Sequence, residues 1–199
     1  MKPYTEHTFS IPELAGISKK NIEEHLKLYA GYVKSVNTIF SKIEELRTDS
    51  EKNAYVLGEL QRRLGFEFDG MRNHEYYFKS LEGGATALAE GSLKQALEAQ
   101  FGSVDAWMNT FSALALTRGV GWAILYWDHQ TEQFVHTWVE EQHLGHLVGL
   151  QPVLALDMWE HAYVYDYPTS EKKKYIAAFF ANLNWSVVEQ NFADAQTRS

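Results

Sequence analysis

Residues 18 to 47 form the longest periodic stretch of this sequence and predict one long amphipathic helix. Side chains at steps of three and four lie on one face of a helix, and here those steps select a mostly apolar stripe. The stripe consists of Ile22, His25, Leu28, Tyr32, Val36, Ile39, Ile43 and Leu46. Ser18 precedes the stripe and is a suitable N-cap residue. The pattern therefore predicts a helix of about 30 residues with one buried face.

A second helical region follows a break at residues 48–52. Its pattern covers residues 54–64 and resumes over 71–81, and the two glycines within 65–70 are expected to divide it into two helices. Two long helical stretches joined by a short break favour an antiparallel hairpin. Such a hairpin would bring His74 alongside the first helix.

The second half of the chain mixes helices and strands. Ser92 and Ser103 are suitable N-caps for two helices, and Gly102 is a suitable stop between them. The expected strands are 122–127, 133–139 and 153–156. Ser170 is expected to cap a later helix, and Trp185 to start or stabilise the last one. The sequence therefore predicts an α+β fold, in which an N-terminal antiparallel helical hairpin is followed by an α/β domain with a small three-stranded antiparallel sheet.

Composition excludes several kinds of site and partner. The chain has 199 residues, a net charge of −8 and no cysteine. Without cysteine, disulfides, thiolate chemistry and cysteine-ligated iron–sulfur or zinc sites are excluded. The negative charge and the lack of a basic stripe argue against nucleic acid as a partner. No apolar run approaches about 18 residues and the N-terminus lacks the apolar core of a signal peptide, so we expect no membrane span and a cytoplasmic location.

Any metal in this chain must be held by histidine and carboxylate, a donor set that suits iron, manganese or zinc. Asp157 follows a short apolar run at 152–156, and His161 lies on the same face if the stretch between them is a helical turn. His25 and His74 occupy the two arms of the predicted hairpin. Each histidine taken alone is more often a hydrogen-bonded core residue than a ligand. Together, the four side chains offer three imidazoles and one carboxylate.

The segment from Asp157 to Tyr163 reads DMWEHAY and resembles the D-x-W-E-H-A-Y signature of the iron/manganese superoxide dismutase family. Further elements of that family occur in the family's order along about residues 20–190. They are Tyr32-Val33 with Asn37, Asn73-His74 before aromatic residues, the run from Gly119 to Trp122, and Asn184-Trp185. The resemblance thus covers nearly the whole chain.

The resemblance implies a superoxide dismutase, an antioxidant enzyme that converts superoxide anion to dioxygen and hydrogen peroxide. It implies one manganese or iron ion per chain, with manganese slightly favoured. The implied ligands are His25, His74, Asp157 and His161, with water or hydroxide as a fifth. The metal would lie between a helical hairpin domain, residues 1–85, and an α+β domain, residues 86–199.

Other residues near the implied metal also have counterparts in the family. Tyr32 matches the tyrosine beside the open coordination position, with a hydrogen-bonding and proton-relay role. Trp122 and Trp159 match aromatic walls of the pocket. Glu160 matches the glutamate that reaches a ligand histidine of the other subunit, which implies a homodimer or tetramer through this region.

The family also places a glutamine or histidine against the metal-bound solvent. Gly70 stands at one of the two possible positions, so that version is absent. The other version comes from the loop between the last two strands, where Gln142 and His143 are both candidates and the local run favours His143. Gly70 with a loop-borne partner resembles manganese-type members, although iron-using members share it where the partner is histidine.

Leu28 and Val164 depart from the family, which often has a histidine and a tyrosine at these positions that meet across the dimer interface. This departure supports one alternative, a non-catalytic metal-binding or structural member of the same fold that has lost its proton relay. A second alternative is another oxygen-using mononuclear metalloenzyme. That reading would need a pocket larger than superoxide requires, and the aromatic residues around the site argue against it.

Overall fold

Two long helices pack against each other in the first half of the chain. The computed structural model describes residues 1–197, in which α1 spans Lys19–Leu46 and α2 spans Ala54–Leu81. Ser18 caps α1, because its Oγ accepts a hydrogen bond from the backbone N–H of Asn21 at 3.2 Å. Contacts between the helices run in opposite order along the two sequences: His25 with Phe78, Tyr29 with Glu75, and Tyr32 with Phe66. The predicted antiparallel hairpin is confirmed.

The expected division of the second helix at residues 65–70 is wrong, because α2 is continuous there. A glycine inside a helix costs only about 1 kcal/mol relative to alanine, which packing against a neighbouring helix can offset. Gly70 is a point of close approach between the two helices, since a Cβ on it would lie 2.7 Å from ring atoms of Tyr32. This glycine therefore marks a helix contact and not a helix end.

The buried face of α1 differs from the predicted stripe at single positions. Leu28 is 42% exposed, whereas Tyr29 is fully buried and Val33 is nearly so. Steps of three and four both keep a helical face, so periodicity alone does not decide between neighbouring positions such as 28 and 29. Contact with α2 makes that choice.

A three-stranded antiparallel sheet forms the centre of the second half, as predicted. β1 spans Gly121–Asp128, β2 spans Gln133–Glu140 and β3 spans Gln151–Asp157, in the spatial order β2-β1-β3. β1 is central and buried over nearly its whole length, which accounts for its run of apolar and aromatic residues. Trp122 of β1 is paired with Asp157 of β3, so the register brings two of the predicted site residues together.

Four shorter helices complete this half. They are α3 (Ser92–Phe101), α4 (Val104–Ala115), α5 (Lys172–Ala181) and α6 (Trp185–Thr197). Gly102 ends α3 with a φ of 85°, a left-handed conformation that glycine adopts without strain. Ser103 caps α4 by accepting the backbone N–H of Ala106 at 3.1 Å. Both local signals were read correctly from the sequence.

Two predicted serine caps are wrong. Ser92 is the first residue of α3, and the carboxylate of Glu189 accepts both its hydroxyl, at 3.0 Å, and the backbone N–H of Leu93, at 3.1 Å. A carboxylate at a helix N-terminus satisfies free N–H groups and interacts favourably with the helix dipole. Ser170 lies within a 3₁₀ turn, Thr169–Glu171, that precedes α5 and makes no side-chain cap. At α3, therefore, the cap comes from Glu189, a residue distant in sequence, and not from Ser92.

The helical pair meets the sheet at the end of β3. Contacts join α2 to β3, and α1 to the 3₁₀ turn Glu160–Ala162 that follows the strand. The division into two domains at residues 85 and 86 stays a prediction. Among residues 1–197, no helix is long and apolar enough to cross a membrane.

Candidate metal centre

Four side chains from four elements meet where α1 and α2 face the end of β3. His25 comes from α1, His74 from α2, and Asp157 from the last position of β3. His161 comes from the turn Glu160–Ala162. One nitrogen or carboxylate oxygen of each lies within 4.8 Å of the others. The structure thus brings together the four side chains named from the sequence.

The Oδ2 atom of Asp157 lies at the focus of the cluster. The Nε2 atoms of the three histidines are 3.1 Å (His25), 3.0 Å (His161) and 3.6 Å (His74) from it. The side chains of His25, His74 and Asp157 are fully buried, whereas that of His161 is 21% exposed. Three imidazole nitrogens around one carboxylate oxygen form a nearly dry N₃O donor set, which suits a first-row transition metal.

His74 shows why this donor set fits a cation. Its Nδ1 lies 2.6 Å from the carbonyl oxygen of Gly70, and a carbonyl only accepts, so Nδ1 carries the proton. Nε2 therefore presents a lone pair toward Asp157, and it has no hydrogen-bond partner within residues 1–197. A buried lone pair beside a carboxylate is unfavourable unless a positive charge lies between them. Burial, followed by the charge of His25, lowers the pKa of His74 to about 3, so protonation at neutral pH does not provide that charge.

Asp157 is held as an anion. Burial by itself would raise its pKa, but the charge of His161 and hydrogen bonds with His161 and His25 outweigh burial and keep the pKa below its ordinary value. Burial also lowers the pKa of His25, which favours the neutral imidazole. A carboxylate with neutral imidazoles is the protonation state that binds a metal ion.

The stretch from Asp157 to His161 is not the helical turn that would put both side chains on one helix face. Asp157 ends a strand, Trp159 is extended, and His161 lies in a 3₁₀ turn. The two side chains still reach one centre because the backbone bends between them. Oδ1 of Asp157 accepts the backbone N–H of Trp159 at 2.8 Å and thereby stabilises the bend.

Two tyrosines behind the site were not found from the sequence. Tyr175 on α5 donates its hydroxyl proton to the backbone carbonyl of Asp157 at 2.9 Å, and the hydroxyl of Tyr77 on α2 lies 3.2 Å from that of Tyr175. Both are fully buried. A tyrosine on the apolar face of a helix resembles an ordinary core residue, so no local signal distinguishes them.

A chain of hydrogen bonds joins three further side chains beside the cluster. Nε2 of Gln142 donates to the hydroxyl oxygen of Tyr32 at 2.9 Å, and Nε1 of Trp122 donates to Oε1 of Gln142 at 2.8 Å. Gln142 and Trp122 are fully buried. The Tyr32 ring lies 5.1 Å from the ring of His74. Burial, and next the charge of Asp157, raise the pKa of Tyr32 above its ordinary value.

His143, favoured from the sequence over Gln142, lies outside this chain. It is half-buried, its ring packs edge-on against Phe66 at 5.6 Å, and its buried Nδ1 has no partner among the described residues. Neighbouring residues in a turn point in different directions, and here Gln142 is the one that faces inward. The geometry therefore favours Gln142 over His143 as the loop residue that faces the cluster.

Aromatic rings enclose the cluster. Trp122 packs edge-on against His74 with ring centres 5.0 Å apart, and Trp159 stacks on His161 at 5.7 Å. Nε1 of Trp159 donates to the carbonyl of Glu141 at 3.1 Å, which fixes the indole. Both tryptophans therefore pack directly against histidines of the cluster, and Phe66, which was not identified from the sequence, lies 6.1 Å from the Tyr32 ring.

The surface beside His161 carries exposed groups of mixed character. Glu160 is exposed, and Val164 is 51% and Tyr165 50% exposed. Leu28 on α1 is likewise exposed. Single exposed apolar side chains are common on protein surfaces, so these residues do not by themselves identify an interface.

The chain is similar to known proteins over nearly its whole length. Residues 89–191 match the family described as iron/manganese superoxide dismutases, C-terminal domain. An iron superoxide dismutase from Cupriavidus metallidurans is 37% identical over 186 residues, which is 92% of each chain. A manganese superoxide dismutase from Mycolicibacterium smegmatis is 33% identical over 189 residues, 94% of this chain and 89% of the relative. An iron superoxide dismutase from Aquifex aeolicus is 35% identical over 187 residues, 92% of this chain and 87% of the relative.

Proposed function

This chain belongs to the iron/manganese superoxide dismutase family, and from that premise we propose the roles of its residues. It is an enzyme that disproportionates superoxide, and its metal is iron or manganese. In the overall reaction two superoxide anions and two protons give one dioxygen and one hydrogen peroxide, so one superoxide is oxidised and the other is reduced. Its compartment is a separate prediction: we expect the cytoplasm, which fractionation of the native cells would test.

We assign His25, His74, Asp157 and His161 as the ligands of one metal ion per chain. The observation that carries this assignment is the unprotonated Nε2 of His74, buried without a partner 3.6 Å from Asp157 Oδ2. Together with Nε2 of His25, Nε2 of His161 and the anionic oxygen of Asp157, this nitrogen completes an N₃O donor set that fits a cation of the first transition series. When bound, iron or manganese supplies the redox chemistry, by accepting an electron from one superoxide and giving an electron to the next.

Tyr32 is the proton donor in our proposal. Because the Gln142 amide donates to the phenol oxygen, the phenolic proton is not used in that bond and stays available for transfer. The raised pKa of Tyr32, caused mainly by burial, keeps the phenol protonated at neutral pH. A protonated donor beside the site can deliver a proton to the superoxide that is reduced.

Gln142 orients that donor. Trp122 Nε1–H can only donate, so Oε1 of Gln142 must face the indole and the amide nitrogen must face Tyr32. The amide therefore cannot turn over without breaking both bonds. We assign this role to Gln142 in place of His143. An intact Tyr32–Gln142–Trp122 chain also supports the enzyme reading over a member that has lost its proton relay.

We propose manganese as the preferred metal. The similar proteins include both iron and manganese enzymes, so their names leave the choice open. Gly70 combined with a glutamine from the loop resembles the manganese-type arrangement. Hydrogen bonds around a metal tune its potential and affinity, which is how the same four ligands can serve two metals.

Loading the metal-free protein with manganese or with iron in parallel tests both proposals. We expect one ion per chain in either case, and about tenfold higher activity with manganese, the scale on which groups around the ligands alter metal function. Metal content would be measured by mass spectrometry and superoxide decay by fast kinetics. Equal or higher activity with iron would contradict the preference, whereas no activity with either metal at full occupancy would contradict the catalytic proposal.

We further propose that a second copy of the chain packs against the surface around Glu160. His161 is hydrogen-bonded to Asp157 through Nε2 and is 21% exposed, so part of this ligand faces outward from the chain. Glu160 is exposed next to it. In a two-fold symmetric pair the carboxylate of each chain could accept a hydrogen bond from the outward side of the other chain's His161. Leu28 and Val164 would be covered in the same contact.

Glu160→Ala is expected to weaken this association. Truncating one partner of a buried, hydrogen-bonded charged pair costs about 2–5 kcal/mol, and a symmetric pair loses two such bonds. Sedimentation over a dilution series would therefore show dissociation at a higher concentration than for the unmodified chain. Glu45→Ala, at an exposed glutamate paired with Lys42, is the control and should dissociate like the unmodified chain. The interface proposal fails if the Glu160 and Glu45 variants behave alike.

A further inference from the structure

The backbone carbonyl of Gln142, like its side chain, has two hydrogen-bond partners. Nδ2 of Asn73 donates to this carbonyl at 3.0 Å, and Nε2 of His146 lies 3.1 Å from it. Asn73 is buried on α2, next to His74. Two donors from different segments thus converge on one oxygen, which fixes the orientation of the Gln142 peptide.

His146 links that carbonyl to the central strand. Nε2 lies 3.1 Å from the carbonyl and 3.4 Å from Nδ2 of Asn73. The shorter contact is with an oxygen that only accepts, so Nε2 carries a proton and the other nitrogen, Nδ1, is free to accept. The hydroxyl of Tyr126 lies 2.6 Å from Nδ1 and donates to it. Tyr126 belongs to β1 and is buried. The one charged side chain found near Nε2 within residues 1–197 is Asp69, with Oδ2 at 3.9 Å.

Other hydrogen bonds hold the backbone of the loop that carries Gln142. Glu140 and Leu144 form two backbone hydrogen bonds, at 2.8 and 3.1 Å, which close the turn around Gln142. Beyond that turn, Gly145 has a φ of +103° and Val148 is 98% exposed. On the N-terminal side of Gln142, the backbone N–H of Glu141 donates to the carbonyl of Val120 at 2.9 Å and Nε1 of Trp159 donates to the carbonyl of Glu141 at 3.1 Å. On the C-terminal side, the peptide is held through the carbonyl of Gln142, so its orientation depends on the donors to that carbonyl.

We propose that His146 is a positioning residue of the proton path. Together with Asn73 it holds the carbonyl of Gln142, and through Tyr126 it ties the loop to β1, so that the Gln142 side chain stays between Tyr32 and Trp122. The effect on catalysis rests on the function proposed above. The positioning itself does not, because it can be measured in protein that contains no metal.

Hydrogen exchange of the Trp122 indole N–H in the metal-free protein measures the positioning directly, because that proton is bonded to Gln142 Oε1. Its NMR signal is identified by its loss in Trp122→Phe. In His146→Leu we expect exchange about tenfold faster, the effect of losing one hydrogen bond. His146→Gln, whose amide can still donate to the carbonyl, should restore slow exchange. His146→Asn, whose shorter side chain places its amide near Tyr126 but short of the Gln142 carbonyl, should not.

Two further variants keep this test decisive. His129→Leu removes an exposed histidine from the turn between β1 and β2 and should exchange like the unmodified chain. If His146→Leu does not fold, as judged by circular dichroism, Tyr126→Phe replaces it, because this change removes only the hydroxyl. It should speed exchange by about threefold, a smaller effect, because Tyr126 acts on the Gln142 carbonyl only through His146. Unchanged exchange in the folded His146 or Tyr126 variants would overturn the inference.

Activity of the manganese-loaded variants separates the two proposals. His146→Leu is expected to keep one metal ion per chain and to lose about tenfold in kcat, with recovery in His146→Gln. Faster indole exchange with unchanged activity would support the positioning and contradict the role of Gln142 in proton delivery. Reduced activity without faster exchange would overturn the positioning and leave the proposed function standing.

Discussion

The Asp157→Asn variant is expected to fold, to bind neither manganese nor iron firmly, and to have no measurable superoxide dismutase activity. Its Oδ2 is the atom on which three imidazole nitrogens converge at 3.0 to 3.6 Å. An amide of the same shape removes the negative charge and places an N–H donor where a metal would bind. Removing one partner of a buried charged group costs about 3–5 kcal/mol, or roughly two to four orders of magnitude in affinity.

Metal content after dialysis, measured beside the circular dichroism spectrum, checks this expectation. The fold should persist because the asparagine side chain can still accept the backbone N–H of Trp159 through its amide oxygen and can donate to one of the imidazoles. Asp194→Asn, at an exposed carboxylate of α6, is the matched control and should keep its metal and its activity. Full metal occupancy in Asp157→Asn would show that the ligand assignment is wrong.

The Gln142→Leu variant is expected to keep its metal and to lose about a hundredfold in kcat, the lower range for loss of positioned acid–base catalysis. Leucine has a similar size but cannot donate to Tyr32 or accept from Trp122, so the phenol loses its orientation and the indole N–H is left buried without a partner. Superoxide decay measured at equal metal content isolates this loss from any change in metal binding.

The pH dependence of this variant has a definite sign. A hydrogen bond donated to the phenol oxygen stabilises the phenolate, so the Gln142 bond lowers the pKa of Tyr32 against the larger effect of burial. Its removal raises that pKa further. The residual activity, which depends on the protonated phenol, should therefore persist to higher pH than in the unmodified enzyme. An alkaline limit that moves to lower pH would contradict the assignment of Tyr32 as donor.

His143→Leu provides the contrast. It removes the other candidate from the same turn, whose ring packs on Phe66 outside the hydrogen-bonded chain. We expect a much smaller change in kcat than in Gln142→Leu. A larger loss in the His143 variant would restore the choice made from the sequence.

Local features of the fold were largely predictable. The long helix α1, its Ser18 cap, the stop at Gly102 and the three strands depend on contacts between residues close in sequence, which leave a period or a single signal residue. The break expected in α2 is absent because packing against α1 offsets the modest cost of glycine in a helix. That packing cannot be read from the local sequence. The prediction that Ser92 caps α3 was wrong for a related reason, because the capping carboxylate belongs to Glu189 on a helix distant in sequence.

The sequence by itself limited the chemistry available to this protein: without cysteine, a metal site had to be built from histidine and carboxylate, and the family resemblance predicts three histidines and one aspartate. Tertiary structure decided how that chemistry is arranged. It placed Gln142, and not its neighbour His143, in contact with Tyr32, set the tautomer of His74 through Gly70, and placed Tyr175 behind Asp157. The physical reason is that the direction of a side chain in a turn and the proton on an imidazole are fixed by hydrogen-bond partners from other elements, and those partners leave no local pattern in the sequence.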